Sequence, residues 1–121
     1  MAQSVQQAPK YQLYRDAVTA VDSLPMADQK QGINLAGYKQ AHIQIIPSGG
    51  ANPTVAVLWW SEDAGKFIQE QTPITKTGVG ANTAYEFTVD ARGRIMFVAF
   101  TTLASGSCKV AVAGFDLNNL L

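Results

Sequence analysis

Residues 54–61 read TVAVLWWS. Thr54, Val55, Val57, Leu58, Trp59 and Trp60 favour a pleated, half-buried surface, and Ala56 tolerates one. A strand sends successive side chains to opposite faces, so Val55, Val57 and Trp59 point one way and Ala56, Leu58 and Trp60 the other. Both faces are therefore apolar, and each carries a tryptophan. A two-layer sandwich buries only one face of each sheet, so this stretch asks for a cover on its second face.

The neighbouring segments repeat the strand pattern. Residues 40–46 alternate, with Ala41, Ile43 and Ile45 inward and His42 and Gln44 outward. Residues 84–89 do the same, with Tyr85, Phe87 and Val89 inward and Glu86 and Thr88 outward. Residues 94–101 (RIMFVAFT) are apolar on both faces, Ile95, Phe97 and Ala99 against Met96, Val98 and Phe100. Residues 107–115 (SCKVAVAGF) carry only Lys109 as a charged group. Short strands are also expected at 66–71 and 74–76. Turn formers separate these runs: PSGGANP at 47–53, a loop at 62–65 ending in Gly65, DARG at 90–93 and ASG at 104–106. About seven or eight strands at this spacing predict an all-β fold, a single antiparallel β-sandwich or jelly roll.

Residues 1–12 hold four glutamines and few large apolar groups. They cannot offset the ~1–2 kcal/mol that ordering each backbone residue costs, so an extended N-terminal arm, disordered or ordered by a partner, is expected over 1–16. The sandwich domain is then 17–121. Val5, Tyr11, Leu13 and Tyr14 are the candidate arm contacts. The segment 11–22 fits either a helical stripe or a strand, and its β-branched Val18, Thr19 and Val21 favour a strand at 17–22.

The second apolar faces of 54–61 and 94–101 need a third layer. Burial of a tryptophan's ~150–250 Å² is worth at most ~4–6 kcal/mol, so leaving such a row in water is costly. Either residues 11–38 fold over it or another subunit docks there. The intersubunit reading makes Leu58, Trp60, Met96, Val98 and Phe100 the candidate interface.

Composition narrows the functions. Nine basic and nine acidic residues cancel, which removes any global attraction to nucleic acid or an anionic membrane. The charged fraction of 15% is low for a soluble chain and the hydrophobic fraction of 47% is substantial, a combination that favours assembly. Cys108 is the only cysteine, so an internal disulfide is impossible. The N-terminal residues lack a basic-then-apolar leader pattern, and no apolar run approaches the ~20 residues of a spanning helix. The expectation is a soluble protein without a cofactor or metal.

Chemistry-bearing residues are sparse. His42 is the only histidine and sits on the polar face of its strand, a surface position and not that of a base. Glu62 and Asp63 lack the further oxygen donors of a calcium loop. Gly78 and Gly80 are followed by no helix that would complete a phosphate cradle. No catalytic set stands out, and an enzyme is not expected. Trp60, or a loop tyrosine, could stack on a sugar ring, which keeps a glycan-binding module of a fibre or tail as the alternative.

The order INLAGY (33–38), AHIQIIPSGGANPTVAVLWWSEDAGKF (41–67) and GRIMFVAFTTLASGSCKVAVAGFD (93–116) resembles small virion structural proteins of tailed bacteriophages, of the capsid decoration or cement type. The resemblance lies in the pattern of strands and not in a diagnostic motif. It implies a non-enzymatic jelly-roll protein of the virion, commonly a homotrimer, whose N-terminal extension holds the major capsid protein or another virion component. It transfers no individual binding residue.

Overall fold

A computed structural model describes residues 10–116, Lys10 through Asp116. The strands are β1 (Gln12–Val18), β2 (Ile33–Asn34), β3 (Gln40–Ser48), β4 (Thr54–Ser61), β5 (Lys66–Ile68), β6 (Ile74–Lys76), β7 (Tyr85–Asp90), β8 (Ile95–Thr102) and β9 (Ser107–Phe115). A single 3-10 turn, Gln29–Gln31, is the one helical element among the described residues. The expected all-β sandwich is what forms.

The pairing has the logic of one long hairpin rolled around a core. First pairs with last, β1 with β9, then β2 with β8, β3 with β7, and β4 with β5 and β6, all antiparallel. Rolling adds β3–β9 and β4–β8. The result is a four-stranded sheet ordered β1-β9-β3-β7 and a five-stranded sheet ordered β2-β8-β4-β5, with β6 also on β4. This is the jelly-roll arrangement, in which the strand that leads from β4 is broken into two short pieces.

The core between the sheets is built from alternate residues. The four-stranded sheet contributes Ile43, Ile45, Phe87, Val89, Val110 and Val112; the five-stranded sheet contributes Val55, Val57, Trp59, Met96, Val98 and Phe100. The register of β4 on β8 corrects one expectation. Val57 lies opposite Val98, Leu58 opposite Phe97, and Trp59 opposite Met96. Directly opposed residues share a face, so Met96, Val98 and Phe100 point into the main core with Val55 and Val57. They are not companions of Leu58 and Trp60. The outward partners of Leu58 are Phe97 and Ala99 instead, joined by Ala56 and Phe67 in a second buried cluster.

The N-terminal boundary also moves. A strand does form in the ambiguous segment, but it spans Gln12–Val18 and not 17–22. The proposed arm–domain border at 16/17 therefore falls inside β1, which pairs Gln12 with Val112 and Leu13 with Ala111. Two register shifts follow, between Leu13 and Arg15 and between Arg15 and Val18, and Ala17 adopts φ +52. These irregularities bend the chain off the four-stranded sheet and send it across to the other one.

Candidate functional site

The outer face of the five-stranded sheet, expected as an intersubunit surface, is covered by the chain itself. Tyr14 and Met26 pack on the Ala56, Leu58, Phe67, Phe97 and Ala99 cluster, with Trp60 and Ile95 at its rim. Phe67 N–H donates to the Met26 carbonyl at 2.9 Å, which ties the covering segment to β5. Gly32 lies so close to the sheet that a Cβ there would stand 2.7 Å from the Phe67 ring and 2.8 Å from Ile95, so only glycine fits. Leu58 is left 4% exposed and Phe97 0%.

A latch of three side chains holds this cover on the edge of β8. Arg15 donates to both Asp22 carboxylate oxygens, Nη1 at 2.7 Å and Nη2 at 2.8 Å, and Nη1 also reaches the Val98 carbonyl at 3.0 Å. Its guanidinium lies 5.3 Å from the Phe97 ring centroid and 5.4 Å from that of Phe100. Asp22 N–H donates to the Phe100 carbonyl at 2.9 Å, while its carboxylate accepts the Phe100 N–H at 2.7 Å. Tyr14 hydroxyl donates to the Gln31 carbonyl at 2.7 Å. Beyond the two-residue β2, side chains thus satisfy β8 groups that a longer strand would have paired. Burial pushes the Tyr14 phenol well above its ordinary range.

The sequence-derived site residues therefore divide. Leu58 is outward but covered; Met96, Val98 and Phe100 are inward; Trp60 alone is partly exposed. Its indole N–H donates to Glu62 Oε2 at 2.7 Å and its ring meets Phe67 edge-on at 5.2 Å. Tyr14, an expected arm contact, belongs to the latch. Val5 lies outside the described residues. Arg15 and Asp22 escaped sequence reasoning, because Asp22-Ser23-Leu24-Pro25 signals only a chain stop.

Tyr11 and Leu13 lead to a different surface, the outer face of the four-stranded sheet. Leu13 is 57% exposed beside Ala111, and Ile46 is 38% exposed beside Lys109 on the same face. Ala111 of β9 lies between Leu13 of β1 and Gln44 of β3, and Ala113 lies opposite His42. Tyr11 reaches over β9 and β3 to the Glu86 carboxylate of β7; partial burial first, then that carboxylate, pushes its phenol up. A hollow of about 460 Å³ lined by Gln44, Ile46, Ala84, Tyr85 and Glu86 borders this face. His42 accepts or donates one hydrogen bond with Thr88 Oγ1 at 2.9 Å and meets Phe115 edge-on.

Other candidates for chemistry stay apart. Among the described residues no group of three or more His, Cys, Asp or Glu converges as metal ligands do. Cys108 is buried against the core, and burial pushes its thiol up to about 11, far from a reactive thiolate. No described helix is long and apolar enough to cross a membrane.

The fold and this surface define the class as a three-layered jelly-roll domain with one sheet sealed by its own chain. Set against known protein families, curated proteins and solved structures, the chain matches none of them.

Proposed function

We propose that this is a non-enzymatic virion structural protein of the capsid decoration type, which grips the shell through the outer face of its four-stranded sheet and its N-terminal residues. The observation that carries the reading is that Leu13 of β1 and Ile46 of β3 both lie exposed on one face, on either side of β9 and opposite its Ala111 and Lys109, on the same face that Tyr11 crosses. The jelly roll itself hosts many functions and decides nothing alone. The virion assignment rests on the resemblance of residues 33–116, and the composition of low charge and zero net charge fits a protein whose role is buried contact.

On this reading the partners are the major capsid protein and further copies of the chain, a homotrimer being the expected assembly. The function is mechanical: apolar area removed from water across subunit boundaries stabilises the shell by about 25 cal/mol per Å². The Leu58 and Trp60 side, being sealed internally, is assigned no partner.

Co-sedimentation with purified shells tests this. A chain carrying Leu13→Asp and Ile46→Asp is expected to stay folded and lose shell occupancy, and deletion of residues 2–9 to weaken it. Wild-type occupancy in the double variant overturns the assignment of the face. Failure of the unaltered protein to sediment with any shell overturns the decoration reading itself.

A further inference from the structure

One end of the sandwich, where β3 begins and β7 and β9 finish, carries a feature that the shell reading does not use. Tyr38 is 44% exposed there and separates two hollows of about 500 Å³ and about 250 Å³. The larger is lined by Lys39, Asp90, Arg92 and Asp116 with Tyr38, and floored by Gly37 and Gly93. Across the Tyr38 ring the smaller continues with Lys10, Gln12 and Asn34. Both volumes together fall in the range of small-ligand sites.

The aromatic platform is seated rigidly. A Cβ on Gly114 would stand 2.5 Å from two atoms of the Tyr38 ring, so the ring rests directly on the β9 backbone and only glycine permits it. The two loops are clipped together: Gly93 N–H donates to the Tyr38 carbonyl at 2.8 Å, and Ala91 and Arg92 N–H both donate to the Lys39 carbonyl. Arg94 pins the turn from behind, donating to the Ala91 and Asp90 carbonyls while its guanidinium lies 3.7 Å from the Trp59 ring centroid. A site that is preorganised in this way loses little entropy on binding.

Arg92 is the unexpected residue. With Gly93 it forms the two central positions of the β7–β8 turn, at φ +52 and +69, where asparagine and glycine are the low-cost choices. An arginine at that left-handed position places a guanidinium at the rim of the hollow, held by Asp90 through its Nε at 3.0 Å. The charges around the larger hollow cancel, Lys39 and Arg92 against Asp90 and Asp116, so a phosphate or sulfate gains no net attraction. A flat aromatic surface flanked by planar carboxylate and guanidinium groups suits a ligand with an apolar C–H face and vicinal hydroxyls.

We propose that this end of the molecule binds a neutral oligosaccharide, with one sugar ring stacked on Tyr38, hydroxyls bonded by Asp90 and Arg92, and the next ring in the hollow beyond. The site is separate from Leu13 and Ile46, so it stands or falls independently of shell attachment.

Saturation-transfer NMR and calorimetry with lactose, maltotriose, N,N′-diacetylchitobiose and methyl α-mannoside, against a sulfated heparin oligosaccharide, test it. At least one neutral sugar is expected to bind, with affinity falling about tenfold or more in Tyr38→Ala. Arg92→Asn suits the turn better than arginine and is expected to keep the fold while weakening the sugar, which covers the case in which Tyr38→Ala does not fold. Leu13→Asp with Ile46→Asp leaves sugar binding unchanged. Silence across the neutral panel, binding of the sulfated probe alone, or full binding in folded Tyr38→Ala or in Arg92→Asn overturns the proposal.

Discussion

The two sheets present outer faces of opposite character, and the molecule treats them accordingly. On the five-stranded sheet the outward residues Ala56, Leu58, Phe67, Phe97 and Ala99 are all buried beneath the segment that runs from Tyr14 to Gly32. On the four-stranded sheet the outward row is Gln40, His42, Gln44, Glu86 and Thr88, interrupted by Leu13 and Ile46. Apolar content decides which face must be sealed, while the edge of β8 decides how. Its unpaired groups give Arg15 and Asp22 something to bind, so the cover is held by directional bonds as well as by packing. An assembly surface does not have to be the greasiest face; the greasiest face is the one a chain is most driven to hide within itself.

Truncating the sealed face breaks the comparison most strongly. Phe97→Ala removes a fully buried ring from the second cluster, and the expected cost is ~3–5 kcal/mol by denaturant titration. Were the cover loose and the face in reality wet, the loss would be far smaller. Opening the latch comes next. Asp22→Ala takes the acceptor from the Phe100 N–H and leaves the Arg15 guanidinium with only the Val98 carbonyl, for an expected ~2–3 kcal/mol. Amide exchange at Phe100 is expected to accelerate in that variant.

Gly32→Ala sharpens the contrast at a single contact, since the added methyl must displace the Phe67 ring or lift the segment. The expected destabilisation is ~1–3 kcal/mol. Alkaline titration reads the interior more gently. Burial pushes Tyr85 up to about 12 and Cys108 to about 11, from ordinary values of 10.0 and 9.0. The folded state thus holds protons that the unfolded chain has released, so stability is full below pH 9 and declines as pH rises from about 9 to about 12. Thermal melts across that range check it; a flat profile contradicts the burial. At the small end, Leu13→Ser on the open face is expected to change stability by no more than ~0.5 kcal/mol, because its side chain is mostly in water already.

Much of this architecture was legible in the chain. Residues 54–61, 74–76 and 107–115 are strands at the bounds expected, and 40–46, 84–89 and 94–101 shift or lengthen by one or two residues. Turns stand where turn formers were read, with positive φ at Gly65, Gly93 and Gly106. Of these, only the Gly65 turn closes a hairpin, between the paired β4 and β5. The turns at 90–93 and 104–106 carry the chain from one sheet to the other, because β7 and β9 belong to the four-stranded sheet and β8 to the five-stranded one. The requirement for a third layer was legible too. Its source was not, and the reason is specific. Alternation tells which residues of one strand share a face, but only cross-strand register tells which face of the next strand they join. The parity of 94–101 against 54–61 was open, and grouping Met96, Val98 and Phe100 with Leu58 put core residues on the outside. The latch was equally hidden, because Arg15 and Asp22 acquire their roles only once the bent β1 brings them to the edge of β8.

By itself, then, the sequence determined the strands, their turns and the presence of two doubly apolar elements, since periodicity and turn chemistry are local properties. Tertiary structure alone decided the register, the identity of the cover and the convergence of Tyr38, Asp90 and Arg92 at one end. Those depend on contacts between residues far apart in the chain, where loop closure, edge satisfaction and packing are settled together.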